Sequence, residues 1–244
     1  MLKLIKDSVL NLIFPGHISC AACDLDLDLD KVHRYGLCES CLEDIGWIKG
    51  PTCKTCGGPL IQETEVGVCY NCQKSVSHLE NCEACFDYSG IGKDLIMDLK
   101  YKRHTYLGEI LAEMMRDVIL ATRSQEIDLI VSVPLHSNRL RQRGFNQMDL
   151  IGKPLSNMLR VPYSHEALVR SKNTPRLKGL DRLERKALMD GLFLADKKQV
   201  LGKRILLIDD IFTTGATMNA CAKALFESGA LNVYGAVLSV NFRD

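Results

Sequence analysis

The chain has 244 residues, 46% of them apolar, with 31 Lys and Arg against 30 Asp and Glu and 11 cysteines. That length suits one ordinary domain and a small second one. No stretch reaches the ~18 apolar residues of a membrane span, and the clustered cysteines exclude a secreted disulfide framework. Charge is split unevenly. Residues 1–88 hold 7 basic and 13 acidic residues, a net of −6, and residues 89–244 hold 24 and 17, a net of +7. The second half is the expected host for an anionic ligand.

Leu2, Ile5, Val9 and Leu12 fall on one face of a short helix over residues 1–16, ended by Pro15 and Gly16. Lys3 and Lys6 break any secretory apolar run, so the chain is expected to be cytoplasmic, with the helix docked on the protein or lying at a membrane surface. Residues 17–80 follow as a cysteine-rich module. Cys20 and Cys23 pair by spacing with Cys38 and Cys41, after 14 intervening residues, and Cys53 and Cys56 with Cys69 and Cys72, after 12. Each set is a zinc-ribbon pattern, because two tight CxxC loops can place four thiolates around one Zn²⁺. Sequential and cross-braced pairing both satisfy the spacing. A ribbon of this size cannot bury enough apolar surface alone and folds on its metal. "DLDLDLD" at 24–30 lacks the Gly and Glu of a calcium loop and reads as an alternating, half-buried strand. Cys82 and Cys85 stand on opposite faces of a strand that Tyr88-Ser89-Gly90 ends, and read as core thiols.

From residue 81 to 244 the pattern is α/β. Helical spacing runs over Gly92–Lys102, Leu107–Leu120 and Phe145–Leu159, the last with Pro154 as a start, kink or break. "IDLIVSVP", "RILLIDD" and "VYGAVLSV" read as buried strands, with a helix over Ala216–Glu227 between the last two. Continuous apolar strands alternating with helices predict a parallel sheet covered on both faces, whose ligands bind at the carboxyl ends of its strands.

At one such end lie Asp209 and Asp210, followed by Thr213, Thr214, Gly215, Ala216 and Thr217 at a helix start. Small residues there let backbone N–H groups turn around a phosphate. The acids repel that phosphate but suit vicinal hydroxyls, so the combination describes a ribose 5-phosphate. Ile205–Thr217 resembles the 13-residue signature of type I phosphoribosyltransferases. The CxxC series, "LKYK" at 99–102, "RGFNQ" at 143–147 and the threonine loop together resemble the ComF competence family, over nearly the whole chain. The segment 174–193 departs from that family, with Leu177 where it usually has Gln and Leu188 where it usually has Asn.

The resemblance implies a type I phosphoribosyltransferase fold with an N-terminal zinc-ribbon module. It implies phosphoribosyl pyrophosphate with Mg²⁺ as ligand, and a role in DNA uptake beside single-stranded DNA and the competence ATPase. Val133, Pro134 and Leu135 would cup the pyrophosphate with main-chain N–H groups, Pro134 supplying none, and Arg143 and Lys100 would bring charge to it. No residue stands out as a general base. Arg139, Arg141, Arg143 and the basic run from Arg170 to Lys186 would also attract a polyanion, although aromatic residues among them are few, at Phe145, Tyr163 and Phe193.

Overall fold

The computed structural model describes residues 19–28, 33–60, 66–74, 76–122, 126–135, 145–170 and 191–241. The expected helix over 1–16, Arg139, Arg141 and Arg143, and the departures at Leu177 and Leu188 lie outside the described residues. Strands β1 (Cys82–Asp87), β2 (Leu129–Ser132), β3 (Tyr163–Ser164), β6 (Arg204–Phe212) and β7 (Asn232–Val240) form one parallel sheet in the order β1-β7-β6-β2-β3. Between them in sequence, β4 (Leu168–Arg170) and β5 (Phe193–Ala195) make an antiparallel ribbon. The central strands β6 and β7 are buried on both faces, which is why both read as unbroken apolar runs.

One face is covered by α3 (Gly90–Met97), α4 (Leu107–Thr122) and α5 (Gln147–Leu159). The other is covered by α7 (Ala216–Glu227) and the β4–β5 ribbon, with the short α6 (Lys197–Val200) leading into β6. Pro154 neither starts nor breaks α5, which runs through it. Proline removes the N–H that would have bonded the Leu150 carbonyl. That carbonyl instead faces α4 at Gly108, where a Cβ would stand 2.6 Å from the Leu150 oxygen. Among the described residues no helix is long and apolar enough to cross a membrane.

Two expectations are corrected. The helix expected over 92–102 gives way after Met97 to a π-helical turn, Asp98–Lys102, closed by Arg103 at φ 59°. Apolar spacing alone cannot separate the two windings, since both keep one side buried. The strand expected at 24–30 is one isolated antiparallel bridge, Ser19 with Asp26. Asp24 turns left-handed at φ 58°, leaving Leu25 60% exposed while Leu27 is buried, and residues 29 and 30 lie outside the described residues.

The cysteine-rich segment shares the cores of the sheet. Leu27, Tyr35, Leu37 and Ile45 pack on the α3–α4 face, and Cys53, Cys56, Cys69 and Leu79 on the α7 face. The two short helices α1 (Glu39–Glu43) and α2 (Tyr70–Gln73) each start directly after a cysteine. Between the two clusters, the chain from Gly46 to Lys54 runs along the outer side of β1. Asp87 N–H donates to Gly46 O, Ile48 N–H to Cys85 O and Cys82 N–H to Lys54 O.

Gly108→Ala is expected to destabilise the protein by ~1–3 kcal/mol, the cost of forcing a methyl into a closed helix contact. A denaturant melt of the variant beside the parent measures it.

Candidate functional site

Strand β6 carries both acids within it and runs past Asp210, where the sequence suggested its end, to Phe212. Neighbouring residues of a strand point to opposite faces. The Asp210 carboxylate lies on the α3–α5 side, with Oδ1 2.8 Å from Lys100 Nζ and Oδ2 accepting from Gln147 Nε2 at 2.7 Å. Asp209 lies on the α7 side, within electrostatic reach of Cys221, and its Oδ1 accepts the Asp210 N–H at 2.9 Å. The two carboxyls that the sequence places side by side are thus turned apart by strand alternation. Asp209 as a residue is only half-buried. The packing around its carboxyl is nonetheless dense, and desolvation, then the like charge of Asp210, pushes its pKa up to about 8. The Asp210 N–H and the Lys100 ammonium act the other way.

Lys100 is delivered by the π-turn, whose extra residue re-aims side chains relative to an α-helix. Gln147 opens α5, which is capped by Asn146 accepting the Met148 N–H at 3.1 Å. The sequence reading carried Gln147 only within the "RGFNQ" resemblance and gave it no role at the site. The signal was available: a polar residue at the buried start of an apolar helix needs a partner.

Beyond Phe212, Thr213 and Thr214 are exposed. Gly215 caps α7 in the left-handed region at φ +71°, and a Cβ there would stand 2.3 Å from the Phe212 ring. Only glycine fits this turn. Asn219 N–H donates to Gly215 O at 2.8 Å, the first full helical bond. The N–H groups of Ala216, Thr217 and Met218 therefore belong to the open end of α7, with Ala216 reaching only the Thr214 hydroxyl at 3.5 Å. This end, with its threonine hydroxyls, can hold an oxyanion.

The second loop is poorer than expected. Val133 N–H is spent on Ile208 O at 3.0 Å, and Pro134 has none. Of the three residues only Leu135 has an N–H without a partner among the described residues. Arg143 lies outside the described residues. The loop is anchored from below: the Tyr163 hydroxyl is 2.6 Å from Asp149 Oδ1 and 2.8 Å from Ser132 Oγ, at the end of β2. A phenol has one proton; the carboxylate takes it, and the Ser132 hydroxyl supplies the other bond. Burial and Asp149 accordingly push the Tyr163 pKa far up.

The eight cysteines form two four-thiol groups, Cys20, Cys23, Cys38 and Cys41, and Cys53, Cys56, Cys69 and Cys72, each with its sulfurs within 4.8 Å of one another. Sequential pairing is thereby chosen over the cross-braced alternative. Cys23 Sγ and Cys38 Sγ are 3.8 Å apart, matching the ~3.8 Å edge of a tetrahedron with ~2.3 Å Zn–S bonds. The knuckles are bound by N–H···S contacts of 3.3 Å, Cys38 to Cys20 and Cys69 to Cys53. Four thiolates fill the coordination sphere, so Zn²⁺ here is structural. Cys82 and Cys85 are buried in opposite cores, and among the described residues they join no such group.

Because both groups sit within the shared cores, chelating zinc is expected to lower the melting temperature of the whole protein, not to loosen residues 20–72 alone; calorimetry with and without chelator tests this. Asp209 gives a second expectation. Its folded pKa lies above the ordinary carboxylate value of 3.8, so the unfolded chain releases the proton first, and stability falls as pH rises from about 4 to about 8. Asp209→Asn should flatten that fall and raise the melting temperature at pH 8 relative to the parent.

Residues 9–86 match the family model of the double zinc ribbon domain. The DNA utilization protein YhgH of Escherichia coli is 30% identical over 218 residues, spanning 88% of this chain and 93% of that protein. The competence protein F of Haemophilus influenzae is 29% identical over 224 residues, spanning 88% and 95%. Among solved structures, adenine phosphoribosyltransferase from Thermoanaerobacter pseudethanolicus aligns over 58% of this chain and 83% of its own, at 18% identity and a TM-score of 0.37. The chain belongs to the ComF competence family, and it carries a double zinc ribbon ahead of a parallel α/β sheet.

Proposed function

We propose that the chain binds phosphoribosyl pyrophosphate with Mg²⁺ at the carboxyl ends of β6 and β2, and that it serves DNA uptake. The observation that carries the ligand assignment is the run from Asp209 to Thr217: two consecutive acids on β6, a glycine-turned threonine loop and the open end of α7 within one short stretch. The threonine loop holds the 5-phosphate. Asp210 accepts the ribose hydroxyls, with Asp209 behind it. Lys100 moves from Asp210 to the pyrophosphate, joined by Leu135 N–H and Arg143. The donor set suits a hard cation, since both acids offer oxygen ligands; Mg²⁺ bound with the pyrophosphate would favour the ionised form of Asp209, which burial and Asp210 otherwise oppose. The DNA role is supported by the relatives, named for DNA utilization and competence, and by the basic second half of the chain. Single-stranded DNA and the competence ATPase are the partners this reading assigns.

A second reading has its own support. With Val133 N–H engaged in the sheet and Pro134 lacking one, the pyrophosphate loop has few donors for a leaving group. This favours a protein that binds the donor as a signal and transfers nothing. Pyrophosphate release with a panel of nucleobases and amines separates the two, since only transfer depends on an acceptor.

Calorimetric titration with phosphoribosyl pyrophosphate and Mg²⁺ tests the shared claim. Asp210→Asn is expected to weaken binding on the order of tenfold, through loss of charge-assisted hydrogen bonds. Gly215→Val, which drives a side chain into Phe212, should abolish it. Unchanged affinity in both variants refutes the assignment.

A further inference from the structure

Residues 100–106 read KYKRHTY, and Lys100 is the one absorbed by the site at Asp210. The six that follow hold three rings, two cations and a threonine, and stand at or near the surface. Tyr101 is 64% exposed and Tyr106 is 50% exposed. The rings of His104 and Tyr106 are stacked, with centroids 5.6 Å apart and planes 25° from parallel. The backbone beneath them is fixed. Arg103 closes the π-turn in the left-handed conformation, Thr105 N–H donates to Arg103 O at 2.8 Å, and Leu107 N–H donates to His104 O at 3.1 Å, running straight into α4. The strip has two ends. Tyr101 follows the lysine held at Asp210, and the Tyr106 hydroxyl feels the charge of Asp24 beside the first cysteine group.

Rings held this open do not make a small-molecule pocket, which buries most of its ligand. Nor do they suit a duplex, whose bases are already stacked on one another. They suit unpaired bases, each of which offers a π-face to an aromatic side chain. The charges around the strip define the balance of forces. Lys102 is tied to Asp98 at 2.9 Å, and Asp98 also stands 3.9 Å from His104 Nδ1. Asp24 and Asp94 are close by as well. Arg103 makes no ion pair among the described residues. Acids offset most of the cations, so the stacking rings supply the affinity and a single guanidinium meets the backbone.

We propose that Tyr101, Arg103 and the stacked His104–Tyr106 pair form a platform on which the bases of single-stranded nucleic acid stack. This deepens the DNA-handling part of the proposed function and does not depend on the donor site.

The test measures binding of a fluorescein-labelled oligothymidylate to the full-length zinc-loaded protein by anisotropy, beside an abasic strand of equal length. The parent is expected to prefer the strand with bases. Tyr101→Ala and Tyr106→Ala should each weaken binding on the order of tenfold, whereas Tyr101→Phe, which keeps the ring, should not. Arg103→Gln should reduce the slope of log affinity against log salt by about 0.7, the value of one single-strand phosphate contact. Equal affinity for the abasic strand, no binding by the parent, or parental affinity in both alanine variants overturns the proposal. The same proteins are titrated with phosphoribosyl pyrophosphate. Donor binding that persists while the oligonucleotide fails removes the platform alone; the reverse result removes the donor site alone. Each variant is checked for full zinc content and parental melting, and Tyr101→Phe against Tyr101→Ala decides the matter should Tyr106→Ala not fold.

Discussion

The outer side of β1 is the seam on which the molecule depends. As the first strand of the sheet order, β1 would present a row of open N–H and C=O groups. The chain from Gly46 to Lys54 fills them, through the bonds of Asp87 to Gly46, Ile48 to Cys85 and Cys82 to Lys54. That covering segment has no helix or full strand of its own. It is held at one end by Cys38 and Cys41 and at the other by Cys53 and Cys56, so metal ligation sets where the edge is closed. One cysteine group packs on each face of the sheet. The ribbons therefore straddle β1 as an integral part of both cores.

From β1 the dependence passes to the site. Tyr88, directly after the strand, donates its N–H to Val240 O, and its hydroxyl reaches the Met97 sulfur at 3.6 Å, at the end of α3. The π-turn then delivers Lys100 to Asp210. On the far side, Gln147 grips the other oxygen of the same carboxylate. Asp210 thus joins the first strand's helix to α5 across the end of β6. Asp209, pointing the other way, has no such partner among the described residues, and burial together with the charge of Asp210 favours its neutral form.

Much of this was legible in the residue pattern. The threonine loop, the bounds Ala216–Glu227 of α7 and the two faces taken by Cys82 and Cys85 follow from local spacing alone, because each is set by a period or a turn. What local spacing cannot carry is a partner distant in sequence. Gln147 and Asp210 are 63 residues apart, and the Val133 N–H is lost to Ile208 only because β2 and β6 are neighbours. The turning apart of the two acids was implicit once both were read inside the strand; what stayed hidden was which distant groups meet each face, Lys100 and Gln147 at Asp210 and Cys221 near Asp209. Winding was equally hidden: Asp98–Lys102 keeps a helical apolar side in a π-turn, and the alternation at 24–28 does not extend because Asp24 leaves the β region.

The occupied state of the Asp210 carboxylate has a thermodynamic consequence. Both oxygens are already bonded, to an ammonium and to an amide. A sugar docking there, as proposed, would trade one set of contacts for another, so the net heat released at that carboxylate would be small. Recognition is consequently left to whatever else the newcomer brings. At the proposed site a neutral pentose would offer the departing ammonium nothing, whereas a ligand with an anionic tail would give it a new counter-ion, and the exchange would itself sort charged sugars from uncharged ones.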